Sequence, residues 1–217
     1  MEDRVTPALY LEMTEQSEHA YVTDRVPEVL AAPGVERATW WQNELPNRSD
    51  LPRVLPEFNL LGVYEVDPSF QPPVTPDDIR SLHYRRTPRP GQGRLTGLPT
   101  IGISLVLISP RSVNDAQALR DWADLIHIRH IAEVSVPGYS MITPYELATG
   151  SDDDDPRFLH FYEMDSQDPE ATFQTMTPLV TTLLGDPGTP AWDKWANHPA
   201  LRIMYVNTFK RLGEQFP

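Results

Sequence analysis

His127 and His130 stand three residues apart in a stretch that the cap at Ser112 and the apolar spacing predict to be a helix ending near Val134. That spacing puts both rings on one helix face, with Glu133 continuing the stripe. Imidazole, with an ordinary pKa of about 6.5, can take or give a proton near neutral pH, so either histidine could serve as a general acid or base. A second pair, His160 and Tyr162, alternates with Leu159 and Phe161, which places both polar rings on one sheet face beside Phe158. His130, His127, His160 and Tyr162 are therefore the candidate proton-transfer residues. His127 and His130 are rivals for one position, and a metal held by both and completed by His160 is the competing chemistry.

Around this set, Trp40, Tyr145, Trp192 and Trp195 offer aromatic surface for a flat hydrophobic ligand, and core packing is the alternative use of such rings. Arg25, Tyr64, Phe158 and His198 complete the candidate binding residues. The segment 186–199, with two tryptophans and His198 among turn-forming residues, reads as either a lid or a packed connection.

The composition narrows the chemistry further. The chain has no cysteine, which removes thiol nucleophiles, thiolate metal sites and disulfides. No phosphate-cradling loop, dinucleotide fingerprint or nucleophile elbow is present, and Gly91-Gln92-Gly93 is an isolated fragment, so no cofactor is expected. Eighteen basic against thirty-one acidic residues give a net charge of -13, which disfavours nucleic acid and anionic membrane as partners. No run approaches the roughly 20 apolar residues of a bilayer span, and the first residues lack a secretory pattern, so the expected location is cytoplasmic. Asp152 to Asp155 reads as a solvated hairpin tip, since EF-hand ligand spacing is missing.

The elements that must position these residues follow from periodicity. Strands are predicted over 8–14, 35–44, 58–67 and 79–86, with a helix from Ser17 toward Ala32 and a polar, proline-rich connection over 45–57. Residues 68–78 hold four prolines and support at most a short helix. The second half repeats the plan with strands over 101–109, 139–148, 157–165 and 201–209. It adds a helix starting at Asp168-Pro169-Glu170, kinked or restarted at Thr177-Pro178 and ended by Gly185.

The repetition extends to short phrases. Glu28-Val29 then Pro33-Gly34, followed by Tyr64-Glu65-Val66-Asp67, recurs as Glu133-Val134 then Pro137-Gly138, followed by Tyr162-Glu163-Met164-Asp165. Each half reads β-α-β-β-α-β, the ferredoxin-like plan, with the second helix of the first half reduced. The expected fold is α+β, two tandem ferredoxin-like modules over residues 1–91 and 100–217 joined by a linker over 92–99.

The stretches Asp24 to Gly34 and His130 to Gly138 resemble the dimeric α/β-barrel superfamily, particularly EthD-like proteins, whose first helix commonly ends in His-x-Pro-Glu…Pro-Gly. Trp122-x-Asp124-x-x-His127 also resembles a spacing of that family, which is the case for His127 over His130. The resemblance implies two four-stranded sheets forming a barrel around a ligand cavity. Such barrels usually form from homodimers, so a tandem chain implies a monomeric pseudo-dimer or a homodimer. With His130 or His127 as proton carrier, assisted by His160 and Tyr162, the expected function is an enzyme acting without a cofactor on a hydrophobic, aromatic or polyketide-like small molecule, as a cyclase, dehydratase, isomerase or lyase. Cofactor-independent oxygenation of an activated phenol and non-catalytic binding are the alternatives. Related barrels hold haem through a helix histidine, a use that no motif here supports. Matching the halves by their Glu-Val and Tyr-Glu-x-Asp phrases sets Arg25 against His130 and Gly62 against His160, so one working cavity is expected, in the second half.

Overall fold

Alternation along a strand sends every second side chain to the same side, and in this chain those sides converge on one another. The computed structural model describes residues 6–94, 96–149 and 154–217. Its strands are β1 (Ala8–Thr14), β2 (Val35–Asn43), β3 (Leu60–Val66), β4 (Ile79–Arg86), β5 (Gln92–Gly93), β6 (Gly102–Pro110), β7 (Tyr139–Thr149), β8 (Phe158–Met164) and β9 (Leu201–Gln215). The order is β4-β1-β3-β2-β9-β6-β8-β7, every pairing is antiparallel, and β4 also pairs with β7. The eight long strands thus close into a barrel. Its seams are β2 on β9 and β4 on β7, and both sets of four strands run in the same last-first-third-second order.

The barrel interior is full. Leu9, Leu11, Leu61, Val63, Leu105, Leu107, Leu159, Phe161, Tyr205 and Phe209 belong to one buried cluster there, each worth roughly 1.5–3 kcal/mol by leaving water. This corrects the expectation of a ligand cavity inside the barrel. Leu159 and Phe161 take the inward positions of β8, so Phe158, His160 and Tyr162 face outward, toward the helices.

Two long helices cover that outer surface. In the first, the Ser17 hydroxyl accepts from the Ala20 amide, and Glu18–Ala20, a π turn over Tyr21–Arg25 and Val26–Leu30 follow without interruption. The second runs through Val113–Asp115, Ala116–Trp122, a π turn over Ala123–His127 and Ile128–Glu133. Both helices therefore carry a π turn just before their last α-helical segment. The repeated phrases are explained by one contact made twice. Gly34 and Gly138, at φ of 88° and 90°, let the chain leave each helix, and their carbonyls accept from the amides of Asp67 and Asp165 at 2.8 and 2.9 Å. Glu65 and Glu163, two residues earlier, accept from Thr6 and Thr100 at 3.1 and 2.8 Å.

The halves differ after their third strand. Between β8 and β9 lie helix Pro169–Leu184, capped by Asp168, and helix Pro190–Ala196, whereas residues 67–78 form no helix. The restart expected at Thr177-Pro178 does not occur, since the first of these helices runs through Pro178 to Gly185. Within the expected linker, Gln92 and Gly93 form β5 on β7. The last strand continues six residues beyond Phe209, to Gln215, and that extension forms most of the seam with β2. At the β7–β8 hairpin, Asp152 and Asp153 lie outside the described residues, Asp154 is exposed as expected of a solvated tip, and Asp155 is instead buried against Arg80.

Candidate functional site

Between the second helix and the outer face of β6, β8 and β9 lies a cavity of about 280 Å³. Val106, Ile108, Leu201, Ile203 and Val206 form its floor, and Trp122, Trp195, Phe173 and Met176 form apolar walls. His127, His160 and Tyr162 supply its chief polar groups. Asp50 and Leu51 reach it from the loop between β2 and β3, so the first half closes a site built on the second. That loop is anchored by Arg48, whose buried guanidinium bonds Asp50, Glu170 and the Asn207 side chain.

His127 is the last residue of the π turn and is sandwiched by indoles, with ring centroids 4.9 Å from Trp195 and 5.1 Å from Trp122. Its Nδ1 lies 3.0 Å from the Trp195 carbonyl, which can only accept, so Nδ1 carries the hydrogen and Nε2 is left as an acceptor. Burial, opposed by that hydrogen bond and reinforced by His160, lowers its pKa to about 4, so the ring is neutral at pH 7. His160 is buried on β8, with Nε2 3.3 Å from Asp124 Oδ1. Burial and the Asp124 charge raise the Tyr162 pKa, keeping its phenol protonated as a donor. The cavity thus holds an imidazole beside a carboxylate, a neutral imidazole acceptor and a phenol donor.

Protonating His127 must offset its burial, which gives a prediction for stability. Because its folded pKa lies below the unfolded value, the unfolded chain binds the proton first, and stability falls as pH drops from about 6.5 toward 4. Between pH 6.5 and 5 this costs about 1–2 kcal/mol, allowing for the ring's exposure to the cavity. Urea denaturation at the two pH values checks it: His127→Gln should lose that much less stability than the wild type on acidification.

The structure separates the other sequence candidates. His130 does not line the cavity; its Nδ1 turns back to the Ile126 carbonyl at 2.6 Å, so it does not join His127 and His160. Among the described residues, no three His, Asp or Glu side chains gather as a metal site. Trp195 is a cavity wall, while Trp192 packs behind it. The segment 186–199 is cross-bonded to the second helix: Trp122 donates to the Lys194 carbonyl and Trp195 to the His127 carbonyl, which makes it a wall. His198 packs near Trp122 and Phe158 lies under Arg120 and Arg157, both outside the cavity lining. Tyr145 points into the barrel, where its hydroxyl donates to the Thr6 carbonyl.

Arg25, Trp40 and Tyr64 belong under the first helix, at the equivalent place in the other half, and there the space is filled. Register aligns Glu12 opposite Gly62 with Val106 opposite His160, and the π turns align Tyr21 with Ala123 and Arg25 with His127. Arg25 is therefore the counterpart of His127, which corrects its matching to His130. The Tyr21 hydroxyl occupies the space a side chain at Gly62 would need, since a Cβ there would sit 1.9 Å from it. Tyr21 bonds Glu12 and Tyr64, each at 2.8 Å, and Arg25 grips the fully buried Glu12 through Nε and Nη2. Burial opposes the Arg25 charge, but Glu12 and Glu28 outweigh it and raise its pKa. Trp40 donates to Glu18 at 3.0 Å. Ala123 in place of tyrosine is what leaves the second site open.

No family model and no curated protein matches this chain. Solved structures do match over nearly its whole length. An anthrone oxidase-like protein superposes with a TM-score of 0.56 at 10% identity, covering 100% of this chain and 95% of that one. A proposed monooxygenase from Fusobacterium nucleatum subsp. nucleatum gives 0.50 at 8% identity, over 97% and 94%. The fold is that of the dimeric α/β barrels. A mutant chlorite dismutase from Candidatus Nitrospira defluvii gives 0.48 at 10% identity, over 95% and 92%. Among the described residues, no helix is long and apolar enough to cross a membrane.

Asp124 was not among the candidate site residues, although the Trp122-x-Asp124-x-x-His127 spacing includes it. Arg48, Leu51, Phe173 and Met176 carry no local signal, because they come from two elements, the β2–β3 loop and the helix Pro169–Leu184, that meet only in the folded chain.

Proposed function

We propose that this cavity binds a flat, two- or three-ring aromatic carrying an acidic hydroxyl or C–H group, and that the chain is an enzyme moving a proton on it. The observation that carries this reading is His160 beside Asp124 in a cavity walled by Trp122, Trp195 and Phe173. With Nε2 turned to the carboxylate, Nδ1 is the nitrogen left to accept the proton, and Asp124 stabilises the imidazolium that forms. Tyr162 donates to the developing oxyanion, and His127 accepts from a second hydroxyl. Isomerase, dehydratase, cyclase or lyase chemistry fits this set without a cofactor.

A second reading is oxygenation, in which the deprotonated aromatic itself reacts with dioxygen. It is supported by the same cavity and by structural neighbours described as an anthrone oxidase-like protein and a proposed monooxygenase. A third, ligand binding without turnover, uses the same walls.

The matching strand orders, paired π turns and duplicate Gly-to-Asp contacts support two tandem ferredoxin-like modules, 1–91 and 100–217, related to EthD-like proteins. We further propose that the chain, its barrel closed within itself, works in the cytoplasm as a monomeric pseudo-dimer, with a homodimer as the alternative.

The test is a panel of hydroxynaphthalenes and anthrones, followed by absorbance, by quenching of Trp122 and Trp195 fluorescence, and with an oxygen electrode. Anaerobic product supports the first reading, oxygen uptake coupled to product the second, and saturable quenching without product the third. Ala123→Phe, which restores bulk where the first half has Tyr21, should weaken binding at least about tenfold, roughly 1.4 kcal/mol. If no compound quenches or reacts, the assignment of the cavity fails.

A further inference from the structure

Arg89 lies in the segment between β4 and β5, outside both helices, yet it reaches the cavity's His160–Asp124 pair. Its Nη1 bonds Asp124 Oδ2 at 3.2 Å and its Nη2 bonds Asp121. From β5, which follows that segment, the Gln92 side chain donates to the Asp124 backbone carbonyl. Asp124 is buried and belongs to the π turn, where the widened backbone leaves room for an outside donor. With Oδ2 taken by Arg89, Oδ1 makes no hydrogen bond and faces His160 Nε2 at 3.3 Å.

We propose that Arg89 is a positioning residue of the cavity: it fixes the rotamer of Asp124 and balances its charge, and so sets the proton affinity of His160. This rests on the functional reading above only in the use made of that proton. A buried carboxylate without a counter-cation favours a protonated neighbour, whereas one held by a guanidinium exerts part of that pull. Of the other charged or titratable groups, His127 on the second helix interacts with His160 and in turn with His130, Arg120 and Tyr162 interact with Asp124, Asp121 and Arg157 act on Arg120, and Glu146 on β7 holds Arg120 and Arg157. Arg120 and Arg157 are committed to Glu146, which leaves Arg89 as the cation bonded to Asp124.

The experiment is a histidine ring NMR titration of the full chain, without ligand, in the wild type and in Arg89→Gln, Arg89→Lys and Asp124→Asn. The His160 signal is assigned by its loss in His160→Gln. Arg89→Gln should raise the His160 midpoint by about half a unit or more, Arg89→Lys should restore part of the shift, and Asp124→Asn should lower the midpoint. An unchanged midpoint in folded Arg89→Gln would overturn the proposal. Should Arg89→Gln fail to fold, an unchanged His160 midpoint in folded Asp124→Asn would overturn it equally, since Arg89 would then have no carboxylate through which to act. A shifted midpoint together with unimpaired phenol turnover in His160→Gln would sustain the role of Arg89 while refuting the proton-transfer reading.

Discussion

His160→Ala is expected to lower turnover of the responsive phenol by about 10²- to 10⁴-fold, the usual contribution of a positioned acid or base. His160 is the cavity imidazole with a carboxylate partner, so its loss removes both the proton acceptor and the group through which Asp124 acts. His127→Ala should weaken binding more than turnover, by about tenfold, because its ring is held neutral and offers a single acceptor. His130→Ala should change either by less than about twofold, since its ring bonds its own helix. Steady-state kinetics with fluorescence titration separate these effects. Equal loss at His130 and His160 would refute the one-sided assignment.

The second large effect is on stability. Arg25→Ala should cost about 3–5 kcal/mol, the penalty for stranding one member of a buried ion pair. Glu12 has no exposure and Arg25 only 3%, so the abandoned carboxylate would have only the Tyr10 and Tyr21 hydroxyls to turn to. For a chain of this size, that corresponds to a fall in melting temperature of about 10 °C. Arg25→Met with Glu12→Gln should recover part of the loss, because the uncompensated charge is gone. Urea denaturation of the single and double variants checks this, and a single-variant cost under 1 kcal/mol would show that the pair is not what holds the first site closed.

The elements of this fold were legible because alternation and the Pro-Gly exits are local. β1 and β4 have the boundaries read from sequence, and both Tyr-Glu-x-Asp phrases end strands that bond back to a helix exit. Alternation also grouped His160 with Tyr162, but it could not say which side of β8 faces the barrel interior. That is decided by closure, which hides Leu159 and Phe161. The choice between His127 and His130 was not legible either, because 3.6-residue periodicity does not register the π turn ending at His127. Among the aromatics, Trp195 lines the cavity whereas Tyr145 packs in the barrel interior and Tyr64 and Trp40 pack under the first helix, since residue type records affinity for apolar surroundings without saying which surroundings. Arg89 and Asp124 meet across 35 positions of sequence, beyond any local pattern.

The seams have a consequence for how the chain is made. β2 waits for β9 and β4 waits for β7, so when the first four strands have left the ribosome both edges of their sheet are still bare. Roughly 130 more residues must be synthesised before Gln215 emerges, on the order of ten seconds at 5–20 residues per second. Over that interval the N-terminal sheet is a template for any other strand, including the same sheet on a neighbouring nascent chain. Barrel closure therefore makes the late strands the chain's own protection against misassembly. A truncation that stops before β9 is expected to associate more extensively than the 217-residue chain, a difference that size-exclusion chromatography of the two would register.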